Sequence, residues 1–270
     1  MKFIAAFSLL FASELAQAFD HTHGEWNRLL ERYVILVSEG NASRLRYTGM
    51  LTDQKLLDGY LDSLSAVSWD EYQNWTRDQR LAFLINAYNA FTVKLILSVY
   101  PDIQSIKDLG SLFHSPWQRR FFSLLGERRS LDNLEQDLIR TPGVFDEPRI
   151  HFALNCASIG CPMLRHEAYT GMRLETQLSD ARNRFLSDRE RNRFDTDDNT
   201  LRVSKIFDWY AKDFTRNVNS DSSIRDIFAG VASLLTDTPS ARQRLLEGSY
   251  RIDYLDYDWR LNNFPERSGK

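Results

Sequence analysis

A chain of 270 residues that is 43% hydrophobic and 13% aromatic has material for a substantial core, which excludes global disorder. Its 34 basic and 37 acidic residues leave a net charge of -3, so there is no electrostatic case for nucleic acid, which needs a basic face. The length allows one large domain or two small ones.

The N-terminus reads as a secretory signal peptide over residues 1–18. Met1-Lys2 is the positive region, residues 3–12 are apolar, and Ala16-Gln17-Ala18 is a small-x-small cleavage site. The expected mature chain begins at Phe19 and is exported, periplasmic or secreted. Residues 19–68 form an N-terminal helical segment. A helix is predicted over 25–38, with Trp26, Leu29, Leu30, Tyr33, Val34 and Val37 at helical spacing and Gly40 as its stop. A second amphipathic helix covers 54–67, and His21 and His23 are expected on a mobile end.

Thr76 is the expected cap of a long helix over 77–99 that Pro101 ends. Asn86, Asn89, Thr92 and Lys94 make its apolar stretch costly in hydrocarbon, so a buried helix is expected and no membrane span. Asn86 and Asn89 share one face at i, i+3 and are expected to brace loop backbone. Trp117, beside Pro116 and His114, suits a cleft wall. Residues 120–125 and 128–131 read as a hairpin around Gly126, followed by a helix over 131–139 that Ser130 caps. Residues 149–154 alternate, with Ile150, Phe152 and Leu154 on one face and His151 and Ala153 on the other, which predicts a strand. Helices follow over 173–186, 205–214, 223–235 and 241–247. A hairpin joins 193–196 to 200–203, and a last strand covers 250–256. The whole reads as α+β, a helix-rich domain around a small antiparallel sheet.

The densest chemistry lies in residues 149–166, RIHFALNCASIGCPMLRH. It holds both cysteines, Cys156 and Cys161, and two of the five histidines, His151 and His166. In an exported protein two cysteines tend to be bridged, but a five-residue separation closes a small loop with little structural benefit. Cysteine catalysis needs a thiolate, a base and a group that orients the base. Cys156 past a strand end, where a helix N-terminus lowers a thiol pKa, is the candidate nucleophile. His151 is the candidate base and Glu135 the candidate orienter. Two other readings stand beside this one. Cys156 is a small buried hydrophobe, or His151, Cys156, Cys161 and His166 form a two-nitrogen, two-sulfur zinc set.

Several runs in order resemble the domain of unknown function 547 family: RLAFLINAYNAFTVKLIL, YPDIQSIKDLG, SLDNLEQDLIR, EPRIHFALNCASIGCPML, HEAYTGMRLETQL, LRVSKIFDWYAKDF and the closing YDWRLN. The resemblance covers residues 69–262, leaving 263–270 as a tail. The family's usual Ile-Glu-His stands here as Leu134-Glu135-Gln136, so Glu135 remains and the histidine is lost. The resemblance implies distant kinship with papain-like thiol enzymes in permuted order, Glu135, His151, Cys156. Two functions follow as expectations. One is an exported thiol-dependent hydrolase or acyl transferase using Cys156 and His151 on a small-molecule or peptide-like substrate, with no cofactor. The other is a non-catalytic extracellular binding module with a disulfide- or zinc-stapled loop.

Overall fold

A computed structural model describes residues 18–111, 114–216 and 223–265. The expected signal peptide, apart from Ala18, lies outside the described residues. The fold is built on the helix Arg77–Leu97, whose side chains from Leu81 to Val93 are all buried. It is long and apolar enough to cross a membrane by length and composition, and 89% of that stretch is buried inside the protein. Thr76 and Gln79 cap it reciprocally: the Gln79 N–H donates to Thr76 Oγ1 (3.2 Å) and the Thr76 N–H to Gln79 Oε1 (3.0 Å). Helices Gly24–Tyr33 and Gln54–Ala66 pack beside it through Trp26, Leu30, Tyr60 and Leu64.

The first helix is shorter than its periodicity predicts. It ends at Tyr33, and Val34–Val37 pairs antiparallel with Ala42–Leu45. Three β-branched residues, Val34, Ile35 and Val37, favour the pleated conformation. Ser38, Glu39 and Gly40 turn the chain with positive φ. His23, expected on a mobile end, is 2% exposed, with Nδ1 2.8 Å from the Tyr60 hydroxyl.

The hairpin forms as Phe122–Leu124 against Glu127–Arg129. Ser130 then accepts the Asn133 N–H (3.1 Å) and starts Leu131–Asn133. From Leu134 to Ile139 the bonding widens to i→i+5, with the Arg140 N–H donating to Glu135 O (2.9 Å).

The expected strand over 149–154 is not there. Pro148–Phe152 is a short 3-10 turn, begun by Pro148 and by Glu147, whose carboxylate accepts the Arg149 N–H (3.1 Å). The alternation misleads because the segment runs between two cores. Ile150, Ala153 and Leu154 face the cluster around the long helix, Phe152 faces a second cluster, and His151 is buried too.

The second cluster gathers Phe185 of helix Leu174–Ser187 with Leu201, Phe207, Phe214 and Phe228. It lies against a three-stranded sheet. Arg193–Asp195 pairs antiparallel with Thr200–Ser204, and Arg251–Leu255 joins the latter in parallel. The fold is α+β as expected, though this last pairing is not antiparallel. The predicted helix over 205–214 is two pieces, Ile206–Trp209 and Ala211–Thr215, broken at Tyr210. That break turns the Tyr210 ring onto His151, with ring centroids 3.8 Å apart.

Candidate active site

The cysteine loop is held from three sides. From the long helix, Asn89 Nδ2 donates to Ala153 O (3.0 Å), and Asn89 Oδ1 accepts the Asn155 N–H (2.8 Å). Within the loop, Asn155 Oδ1 accepts the Ala157 N–H (2.9 Å), and Asn155 Nδ2 donates to Pro162 O (2.7 Å). From the C-terminal segment, the Asn262 N–H donates to Ala157 O (2.9 Å), the Ile159 N–H to Arg260 O (2.8 Å) and the Gly160 N–H to Asp258 O (2.9 Å). Gly160 lets the two segments approach closely, because a Cβ there would stand 3.1 Å from both the Tyr257 ring and the Asp258 nitrogen, tight enough that a neighbour would have to give. Asn86, one turn before Asn89, grips Tyr169 in the same two-bond fashion (2.7 and 3.0 Å). Both asparagines therefore brace loop backbone, as their shared face predicts.

Cys156 and Cys161 are joined as a disulfide. Cys161 is buried, whereas Cys156 is partly exposed. The Tyr257 hydroxyl lies 3.2 Å from each sulfur, and it is the donor, since neither sulfur carries a proton. The loop runs on into coil and turn after Cys156, so no helix N-terminus lies behind this sulfur, contrary to expectation.

His151 Nε2 is 2.8 Å from Asp213 Oδ2. This carboxylate, not Glu135, orients the imidazole, which corrects the assignment made from sequence. Arg140 Nε donates to Asp213 Oδ2 (2.6 Å) and Arg216 Nη2 to Oδ1 (3.0 Å). Burial works to raise the Asp213 pKa, but the bonds from His151 and Arg140 hold it well below the usual carboxylate range. Burial lowers the His151 pKa against the pull of Asp213, so the ring is neutral near pH 7. With Nε2 committed to Asp213, Nδ1 is the nitrogen left for a substrate or a thiol.

Glu135 meets the Tyr210 hydroxyl instead. It is 7% exposed, and its Oε1 has no hydrogen-bond partner. Burial pushes its carboxyl above the ordinary range. Hydrogen bonds from the Tyr210 and Tyr88 hydroxyls to this carboxyl and the nearby Arg140 charge work in the opposite sense, while Oε1 itself has no partner.

All three predicted residues, Glu135, His151 and Cys156, line one cavity of about 370 Å³. Its outer wall is aromatic. Trp259 lies 4.5 Å from Tyr257 and 5.7 Å from both Trp209 and Trp117, centroid to centroid. Trp117 is thus the cleft-wall residue its loop predicts, while His114 bonds Ser111 instead (3.3 Å). The four-residue zinc set is not assembled. The two sulfurs are bonded to each other, His166 is exposed, and no group of three His, Cys, Asp or Glu fit for a metal ion occurs among the described residues.

Asp213, Tyr210 and Tyr257 escaped the sequence reading. Tyr210 and Asp213 sit at i, i+3 in FDWYAKDF, and an acid repeating with an aromatic inside an apolar helical pattern is the signal that was available. Tyr257 opens YDWRLN at the far end of the chain, and nothing local ties it to the cysteines.

Residues 72–186 match the family model described as "Protein of unknown function, DUF547". The matched stretch includes Glu135, His151 and both cysteines, but not Asp213 or Tyr257. No curated protein and no solved structure matches the chain.

Proposed function

We propose, from the site that residues 72–186, which match the DUF547 family model, build together with Asp213 and Tyr257, an exported thiol-dependent hydrolase or acyl transferase whose nucleophile is stored as a disulfide. The observation that carries the reading is the placement of Cys156 in one cavity with a histidine that a buried carboxylate orients. The papain-like use of a thiol belongs to this proposal, in the chain order His151, Cys156, Asp213.

The chemistry starts with an external dithiol, which reduces the disulfide and is itself oxidised to one. Cys156 is the sulfur it reaches, since Cys161 is buried. In the reduced site His151 Nδ1 takes the Cys156 proton as sulfur attacks the acyl carbon. The imidazolium is stabilised by Asp213, which keeps its own negative charge. The bond to the leaving group breaks, and that group departs with the proton from His151. Water, or an acceptor amine or alcohol, then attacks the S-acyl carbon while His151 takes its proton. The acyl product leaves and Cys156 recovers its thiol. Tyr257 and the Cys156 N–H, which now donates to Cys161 Sγ (2.9 Å), are the donors nearest the sulfur and suit the developing charge.

The test is a panel of thioester, ester and amide probes offered to reduced and to oxidised protein. Turnover should appear only after reduction, and Cys156→Ala should abolish it. Turnover that survives Cys156→Ala ends the thiol mechanism. A second reading, a non-catalytic binding module with a stapled loop, is favoured by the disulfide itself. It predicts ligand binding by the oxidised protein and no turnover in either state.

A further inference from the structure

The chain just past the small-x-small motif is built into the fold. The Phe19 ring packs against the core with its centroid 5.3 Å from those of both Trp75 and Phe83, and it meets His21 and His23 edge-on. The residues that follow are held by their own bonds. The Asp20 carboxylate accepts the Thr22 N–H (2.9 Å) and the Gly24 N–H (3.0 Å), and His23 is tied to Tyr60. The Phe19 N–H donates to Glu71 Oε1 (3.3 Å). Glu71 is placed for this as the third residue of helix Trp69–Gln73, where its own N–H donates to the capping Ser68 Oγ (3.1 Å).

The Phe19 nitrogen sits in acidic surroundings. Ala18 and Phe19 line a cavity of about 670 Å³ together with Asp20, Glu25 and Glu71, and no Lys or Arg is among its described lining residues. The neighbouring histidines add no charge at pH 7, because burial lowers the pKa of His21 and takes that of His23 down to about 3. Tyr60 stays protonated, since burial lifts it well above 10. A neutral peptide N–H is a poor partner for a carboxylate in such a place, and a charged nitrogen is a good one.

We propose that Phe19 is the mature N-terminus and that its α-ammonium, freed by cleavage after Ala18, forms an ion pair with Glu71. The cleavage is a hydrolysis by a peptidase that accepts small side chains at Ala16 and Ala18. Water adds across the Ala18–Phe19 bond, its oxygen goes to the Ala18 carboxylate, and the Phe19 nitrogen ends protonated as an ammonium. The ring anchor keeps that nitrogen beside Glu71, where it gains charge without moving. The pairing rests on the exported reading and needs no thiol chemistry. An amine raised above its unfolded value of about 7.7–8.0 contributes stability that is complete below that value and is lost as pH rises through the folded one.

The full-length chain is produced in a secreting host and recovered after export. Mass spectrometry gives its first residue, and competitive acetylation across the neutral to alkaline range titrates its α-amine. Phe19 should be first, with an amine roughly half a unit above the ordinary value, the scale of a partly exposed ion pair. Glu71→Gln, which keeps an N–H acceptor and the shape, should return the amine to the ordinary range, with circular dichroism confirming the fold. The thermal midpoint of the unmodified protein should exceed that of the variant at about pH 7 and match it by about pH 9.5. An amine of ordinary pKa in the unmodified protein, or a raised one that survives Glu71→Gln, overturns the proposal. An exported protein that begins at another residue ends this inference and leaves export standing. A chain retained in the cell with Met1 intact ends both.

Discussion

His151 and Asp213 lie 62 residues apart in sequence and 2.8 Å apart in space, between a 3-10 turn and the second half of a broken helix. The bond fixes Nε2 and leaves Nδ1 for chemistry. Asp213 also carries Arg140 and Arg216, so removing it strands positive charge at a site where Asp213 itself is 8% exposed. Asp213→Ala should therefore destabilise the fold by about 3 kcal/mol, read from urea unfolding. Asp213→Asn keeps the shape but favours the wrong tautomer. It should lower any acyl-transfer turnover by on the order of 10³-fold while His151 stays in place. Full turnover in Asp213→Asn would remove Asp213 from the mechanism.

The same groups give the stability a pH signature. Asp213 is held low in the folded state, so its contribution is complete above the unfolded value of 3.8 and is lost as pH falls below it. His151 is also held low, from 6.5. As pH drops through 6.5 the unfolded chain binds that proton first, and stability falls. Glu135 is raised above 4.5, so the folded state binds its proton first and gains stability as pH falls towards 4.5. The two effects oppose each other between 6.5 and 4.5. Glu135→Gln removes only the second, so unfolding free energy should drop more steeply from pH 7 to 5 than in the unmodified protein. An equal or shallower drop contradicts the raised Glu135.

What the sequence made legible and what it hid divide along a physical line. The helix Arg77–Leu97 shows in its apolarity and its Thr76 cap, and the asparagine face shows because buried amides must find partners. The turn at Pro148–Phe152 is hidden because apolar residues there serve two cores, which mimics the alternation of a strand. Cys156, His151 and Glu135 were found because they are local in sequence. Tyr210 and Tyr257 reach the cavity, and Asp213 reaches His151, only through tertiary structure, so no spacing rule pairs them with the cysteines.

The disulfide closes a loop with a sequence separation of only 5, and that loop is already pinned by Asn89, Asn155 and the C-terminal segment. Loop-closure entropy for so short a ring is worth at most about 2 kcal/mol. Reduction should lower the unfolding free energy by no more than that and leave the far-ultraviolet spectrum unchanged. A reduced protein that unfolds would make the bridge structural and remove the stored-nucleophile reading.

The braces offer a comparison between two neighbouring asparagines. Asn89→Ala leaves Ala153 O and the Asn155 N–H without their partner beside Cys156, while Asn86→Ala does the same to Tyr169, away from the cavity. Each should cost about 2–3 kcal/mol. Only Asn89→Ala should also change how fast Cys156 of the reduced protein reacts with iodoacetamide. Identical alkylation rates in the two variants would mean that Asn89 holds the fold without setting the sulfur.

Tyr257→Phe isolates the hydroxyl that faces both sulfurs. The ring packs on Trp259 at 4.5 Å and on Trp209 at 4.9 Å, so phenylalanine keeps the wall and loses only the donor. Burial holds the phenol pKa well above its usual value, which keeps the proton on oxygen through the neutral range. In the reduced protein that proton is available to a thiolate, and hydrogen bonding to the charged form lowers a pKa. Removing it should raise the apparent pKa of Cys156 by about one unit, the scale of one hydrogen bond to a charged group. The pH profile of iodoacetamide alkylation reads this directly and needs no substrate. A profile that does not move in Tyr257→Phe would leave Tyr257 as a wall residue and take it out of the sulfur chemistry.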